Sequence, residues 1–106
     1  MAWIYLGAAG LLEIVWAFFM KRSEAFSRPL DSAVTIVAMI TSFWLLSLAM
    51  RSLPLGTAYT VWTGLGAVGA FVLGIAALGE AATPLRIAAA LLIVAGLVLM
   101  KIASPQ

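Results

Sequence analysis

The sequence has no cysteine and no histidine, and only 9% of its 106 residues are charged. Without cysteine there is no disulfide, no thiolate nucleophile and no cysteine-built metal site; without histidine the usual metal ligand and the usual neutral-pH base are also missing. Proton chemistry therefore falls to carboxylates, and the chain has only four acidic residues. No combination of nucleophile, base and oxyanion donors is legible, so an enzyme, a cofactor and a metal are not expected. The six basic residues are scattered near the ends of apolar runs. A net charge of +2 so distributed does not make a nucleic-acid surface.

What fills the sequence is apolar: 65% of residues are hydrophobic, outside the range of a soluble domain. A membrane-spanning helix needs about 20 mostly apolar residues, so this length accommodates four spans with short connections. The expected spans run about 3–20, 33–50, 57–78 and 85–100, each ended by charge, proline or glycine. The expected fold class is an all-α membrane protein, one four-helix transmembrane domain. The first run lacks a basic leader and carries an acid at its centre, which reads as a retained span rather than a secretion signal. In the second connection Pro54 breaks helix and Gly56 can take positive φ; in the third, Thr83 is expected to cap a helix that opens on Pro84.

Hairpin connectivity puts Lys21, Arg22, Arg28 and Arg86 on one side and Arg51 and Lys101 on the other. So small an imbalance is compatible with insertion in both orientations, or with one orientation weakly favoured.

Glu13 stands inside the first apolar run, in "GAAGLLEIVWAFFM". An ionised carboxylate at mid-span costs several kcal/mol, roughly 2.5 to 3.5 on insertion scales, so such residues usually face a cavity or a partner and mark ion routes. The competing reading is a buried salt bridge, but every Lys and Arg lies at a span end. Ionised, Glu13 attracts a cation; protonated, it is neutral. Helical spacing puts Ala9, Gly10, Trp16 and Ala17 on its face. The small residues leave room, and Trp16 offers a π face and an N–H donor, with ordinary packing or lipid contact as its other reading. In the third span Tyr59, Trp62, Thr63 and Gly66 share a face, and Tyr59 and Trp62 also suit an interfacial aromatic belt. Gly64, Gly66 and Gly69 permit close packing or flexing of that helix. Ser42, near mid-depth of the second span, is the better candidate to bond a carboxylate; Thr41 faces elsewhere and is expected to bond its own backbone. Ala89 and Gly96 form a small-residue stripe on the fourth span suited to helix association, or to ordinary packing.

Taken together, "GLLEIVWA", "SFWLL" after Thr41, "LPLGTAYTVWTGLGAVGA" and "LGE" ending at Glu80 resemble the small multidrug resistance family. Trp16 three residues after the glutamate, the "VWTG" form of the third span and Lys101 closing the fourth resemble its guanidinium exporter branch more than its quaternary ammonium branch. The resemblance implies an antiparallel, dual-topology homodimer in a bacterial cytoplasmic membrane, exchanging protons for guanidinium-type cations by alternating access. Carried over, Glu13 is the shared proton and substrate site, Ser42 and Trp16 orient its carboxylate, Tyr59 and Trp62 line and gate the pocket, and Gly10 gives room. Thr60 departs from the Ala common in this motif. A quaternary ammonium exporter and, less favoured, a non-transporting accessory subunit are the alternatives.

Overall fold

The structure, a computed structural model, describes residues 1–103. Four helices follow one another: α1 Ala2–Arg22, α2 Pro29–Ala49, α3 Leu55–Leu78 and α4 Pro84–Ala103. Each is long and apolar enough to cross a membrane. The 21 residues of α1 span about 32 Å at 1.5 Å per residue, against a hydrocarbon core of about 30 Å. The chain is a multi-pass membrane protein.

The helices outrun the apolar runs. α2 begins at Pro29, a full turn ahead of Ala33, because proline is accommodated at a first helical position and Asp31 in the first turn faces the positive end of the helix dipole. Arg22 approaches Asp31 at 3.9 Å and ties the end of α1 to the start of α2. Between them the chain turns through Glu24, Ala25 and Phe26, all at positive φ (50°, 62° and 65°). Ser23 holds this left-handed passage. It is fully buried, its hydroxyl donates to the Met20 carbonyl at 2.7 Å, and it accepts the Phe26 N–H at 3.0 Å.

The other two connections are tight. Gly56 lies within the first turn of α3 and does not use the positive φ open to glycine. Pro54 already breaks the helix, and buried Leu53 closes the turn by donating to the Ala49 carbonyl at 3.0 Å. The positive-φ glycine is Gly79 at the end of α3 (69°), where glycine avoids the Cβ clash. Thr83 caps α4 as expected: its Oγ1 accepts the Arg86 N–H at 3.3 Å.

α1 is central, packing chiefly on α2 and then on α3, while α4 rests on α3. The Lys101 ammonium reaches back over the Trp3 ring at 4.4 Å. The buried core of Leu6, Ala9, Leu46, Ala49, Leu53, Ala58 and Trp62 sits where α1, α2 and α3 converge. No residue of α4 is buried. The result is a slab 43 × 34 × 16 Å.

Candidate functional site

Glu13 is the twelfth residue of α1, about 17 Å along the helix and so near its middle. Its side chain crosses to α3 and lies on Gly66: a Cβ built at Gly66 would collide with the Glu13 carboxyl group. The glycine is therefore the surface against which the acid rests. The same arrangement repeats along the α1–α3 contact, where Gly69 receives Ile14 and Gly10 receives Leu65. Gly64 performs this service between α3 and α4, taking Leu97.

Beside the acid stands a chain of aromatic rings drawn from three helices. Trp16 of α1 meets Phe43 of α2 edge-on at 6.3 Å, Phe43 meets Trp62 of α3 at 5.6 Å, and Trp62 meets Tyr59 at 5.6 Å. In the first two pairs a ring edge is set against a ring face, which suits the quadrupole of each system, while the Tyr59 and Trp62 rings are tilted at 48°. Trp62 is buried while Tyr59 is 52% exposed, so the row runs from the packed interior to an open edge.

Ser42 is fully buried and serves as a junction. Its hydroxyl donates to the Ala9 carbonyl at 2.7 Å and accepts the Trp62 indole N–H at 3.0 Å. One hydroxyl thus links α1, α2 and α3. Ala9 stands four residues before Glu13, so the carbonyl it engages belongs to the helical turn that carries the acid. Thr41, by contrast, returns its hydroxyl to the Val37 carbonyl of its own helix at 2.9 Å, as expected.

Two polar atoms near the acid bond nothing among the described residues: Glu13 Oε1 and Trp16 Nε1, both buried. Neither Ser42 nor Trp16 hydrogen-bonds the Glu13 carboxylate in this structure. Ser42 is committed to a backbone carbonyl and an indole. The arrangement does bring Glu13, Trp16, Ser42, Tyr59, Trp62, Gly10 and Gly66 to one seam of α1, α2 and α3. Ala89 and Gly96 lie apart on α4, Ala89 in a groove facing α3 and Gly96 with open space beside it. Two participants escaped sequence reasoning. Phe43, the ring joining Trp16 to Trp62, was visible only as the apolar neighbour of Ser42. The Ala9 carbonyl carries no side-chain signal at all.

Chemically, the seam pairs an acid at mid-membrane depth with π faces and an unengaged indole donor, a set suited to an organic cation. No metal cluster is found among the described residues.

A family profile described as "Small Multidrug Resistance protein" matches residues 1–94. Curated relatives of the chain include a guanidinium exporter of Escherichia coli strain K12, 54% identical over 104 residues, covering 98% of this chain and 99% of that protein. A guanidinium exporter of Yersinia pseudotuberculosis is 56% identical over 104 residues, covering 98% of this chain and all of the relative. One of Citrobacter freundii is 54% identical over the same length.

Proposed function

The chain belongs to the small multidrug resistance family, and from that premise we propose that it exports guanidinium and small substituted guanidinium ions in exchange for protons, both bound in turn at Glu13. The observation that carries this reading is the Glu13 carboxylate itself, half-buried at mid-helix on Gly66 with one oxygen unbonded among the described residues. An acid so placed is costly unless a ligand uses it. A guanidinium ion matches it because its forked N–H donors bind a carboxylate bidentately and its plane stacks on an indole such as Trp16.

Coupling follows from exclusion. The ionised carboxylate binds the cation, and a proton on the same group removes the charge that holds it. If the protein interconverts between inward and outward states only when loaded, one ligand moves out as the other moves in. In this reading the working unit is an antiparallel homodimer in the bacterial cytoplasmic membrane, whose two inverted copies supply the symmetry that longer transporters encode within one chain. Tyr59 and Trp62 line the route, and the glycines of α3 let that helix shift against α1.

The test is purified protein in liposomes. Guanidinium on one side should drive proton movement, and Glu13→Gln, which keeps shape without titrating, should abolish it. In the wild type, apparent guanidinium affinity should fall on the acid side by up to about tenfold per pH unit, since one proton competes for one site. Wild-type proton movement in Glu13→Gln would overturn the mechanism. Preference for a tetraalkylammonium ion over guanidinium would overturn the substrate.

A further inference from the structure

The buried Oε1 of Glu13 has no hydrogen-bond partner among the described residues, and no basic side chain there pairs with the carboxylate. Packing therefore sets where the acid sits. Gly10, Glu13 and Ile14, spaced i, i+3 and i+4, share one face of α1; Gly66 and Gly69, three apart, share a face of α3, with Leu65 beside them. Across this contact Leu65 of α3 enters the notch at Gly10, and Ile14 of α1 enters the notch at Gly69. Glu13 on Gly66 lies between the two, and each member of that pair is the chain neighbour of one knob.

The two knobs come from opposite helices. α3 therefore cannot slide along α1 or turn on its axis without withdrawing both, because close-packed side chains have discrete rather than continuous arrangements. The contact lies within one protomer, between helices packed on each other, and so does not depend on what covers the outer faces.

We propose that Ile14 and Leu65 are positioning residues for the Glu13 site, reciprocal knobs that fix the height and rotation of α3 so that Gly66, and no bulkier surface, meets the carboxyl group. The role assigned to them rests on the reading of Glu13 as the shared ion site. It adds that α3 can shift against α1 only by lifting both knobs, which changes the surroundings of the acid in one step.

The experiment follows the carboxyl group itself. Full-length protein, isotope-labelled at the glutamate side-chain carboxyl, is titrated with acid by NMR in lipid nanodiscs. Glu13, Glu24 and Glu80 give the signals, and that of Glu13 is the one lost in Glu13→Gln. The other titratable side chains of α1, α2 and α3 are Tyr5, Lys21, Arg22, Asp31 and Tyr59, each about two helical turns or more from the level of Glu13, so a displaced midpoint reports the packing around the acid.

Ile14→Ala and Leu65→Ala should each displace the Glu13 midpoint by about half a pH unit or more, a roughly threefold change in proton affinity, and guanidinium binding should weaken by a similar factor. Gly69→Ala should displace it too, because the added Cβ meets the far end of Ile14. The double variant Ile14→Ala/Gly69→Ala should bring the midpoint back toward wild type: the knob then stands on α3, its Cβ 3.5 Å from the Cβ at position 14, an ordinary van der Waals contact. Leu97→Ala empties the equivalent notch at Gly64 from α4 and should lower thermal stability while leaving the Glu13 midpoint in place.

An unmoved Glu13 titration in Ile14→Ala and Gly69→Ala, with helix content intact by circular dichroism, would overturn the proposal. So would an equal displacement in Leu97→Ala, which marks general loosening, or a double variant displaced as far as the two single changes together. The proton titration needs no substrate. If the knob variants behave as expected while guanidinium leaves the wild-type Glu13 signal unmoved, the export reading falls and the positioning stands.

Discussion

Ser42 shows how one hydroxyl can hold three helices. Replacing it with alanine leaves the buried Trp62 N–H without its acceptor and frees the Ala9 carbonyl from its second bond. The cost expected for an orphaned buried donor is about 1 to 3 kcal/mol. Ser42→Ala should lower the unfolding midpoint accordingly, and Trp62→Phe, which removes the stranded donor, should make the second loss smaller than the sum of the two. Strict additivity in a double-mutant cycle would mean the link carries no energy. Gly66 gives a second test: a Cβ there meets the Glu13 carboxyl, whereas one at Gly7 meets open space. Gly66→Ala should impair guanidinium transport severely, while Gly7→Ala should leave transport intact and gain up to about 1 kcal/mol of helix propensity. Equal transport by the two variants would show that the Glu13–Gly66 contact is dispensable. Glu13 was legible in the sequence because an acid in an apolar run announces itself by its cost. The partner of Ser42 was not, because periodicity locates side-chain faces and says nothing of which backbone carbonyl a neighbouring helix presents.

At the level of elements, charge proved a poor marker of helix ends. The start of α2 was obscured by Asp31, which interrupts the apolar run but is stabilised inside the first turn. The start of α4 was legible because Thr83 and Pro84 together form a cap, a signal independent of hydropathy. The left-handed path of the connection between α1 and α2 was invisible: nothing in "SEAFS" requires such a backbone, and the glycine that favours it is absent. Holding residues there costs about 1 to 2 kcal/mol each for L-amino acids. Ala25→Gly, at φ 62°, should therefore stabilise the protein by about 1 kcal/mol, read as a higher unfolding midpoint. Ser23→Ala, which removes the hydroxyl bridging Met20 and Phe26, should do the opposite. A lower midpoint for Ala25→Gly would mean that the segment is not strained.

For the molecule as a whole, the hairpins put Lys21, Arg22, Arg28 and Arg86 toward one face and Arg51 and Lys101 toward the other. If both orientations insert, a single cysteine placed at the C-terminus should be labelled from both sides of the membrane in similar amounts, and two extra lysines in one connection should bias the population strongly. One-sided labelling of the unaltered protein would remove the antiparallel homodimer. The four-helix class was readable from composition alone, since few other solutions satisfy the backbone in lipid. The flatness was not, because it depends on where α4 rests, and an apolar helix without interior polar groups gives no hint of which neighbour it chooses. That slab, 16 Å through and with no residue of α4 buried, has a genetic consequence. A protomer so thin offers a cation walls rather than an enclosure, and in the proposed dimer each copy completes the other's. A Glu13→Gln allele expressed alongside the normal gene would then enter mixed pairs and disable them. Such an allele should behave as dominant, lowering guanidinium tolerance in cells that still make the intact protein.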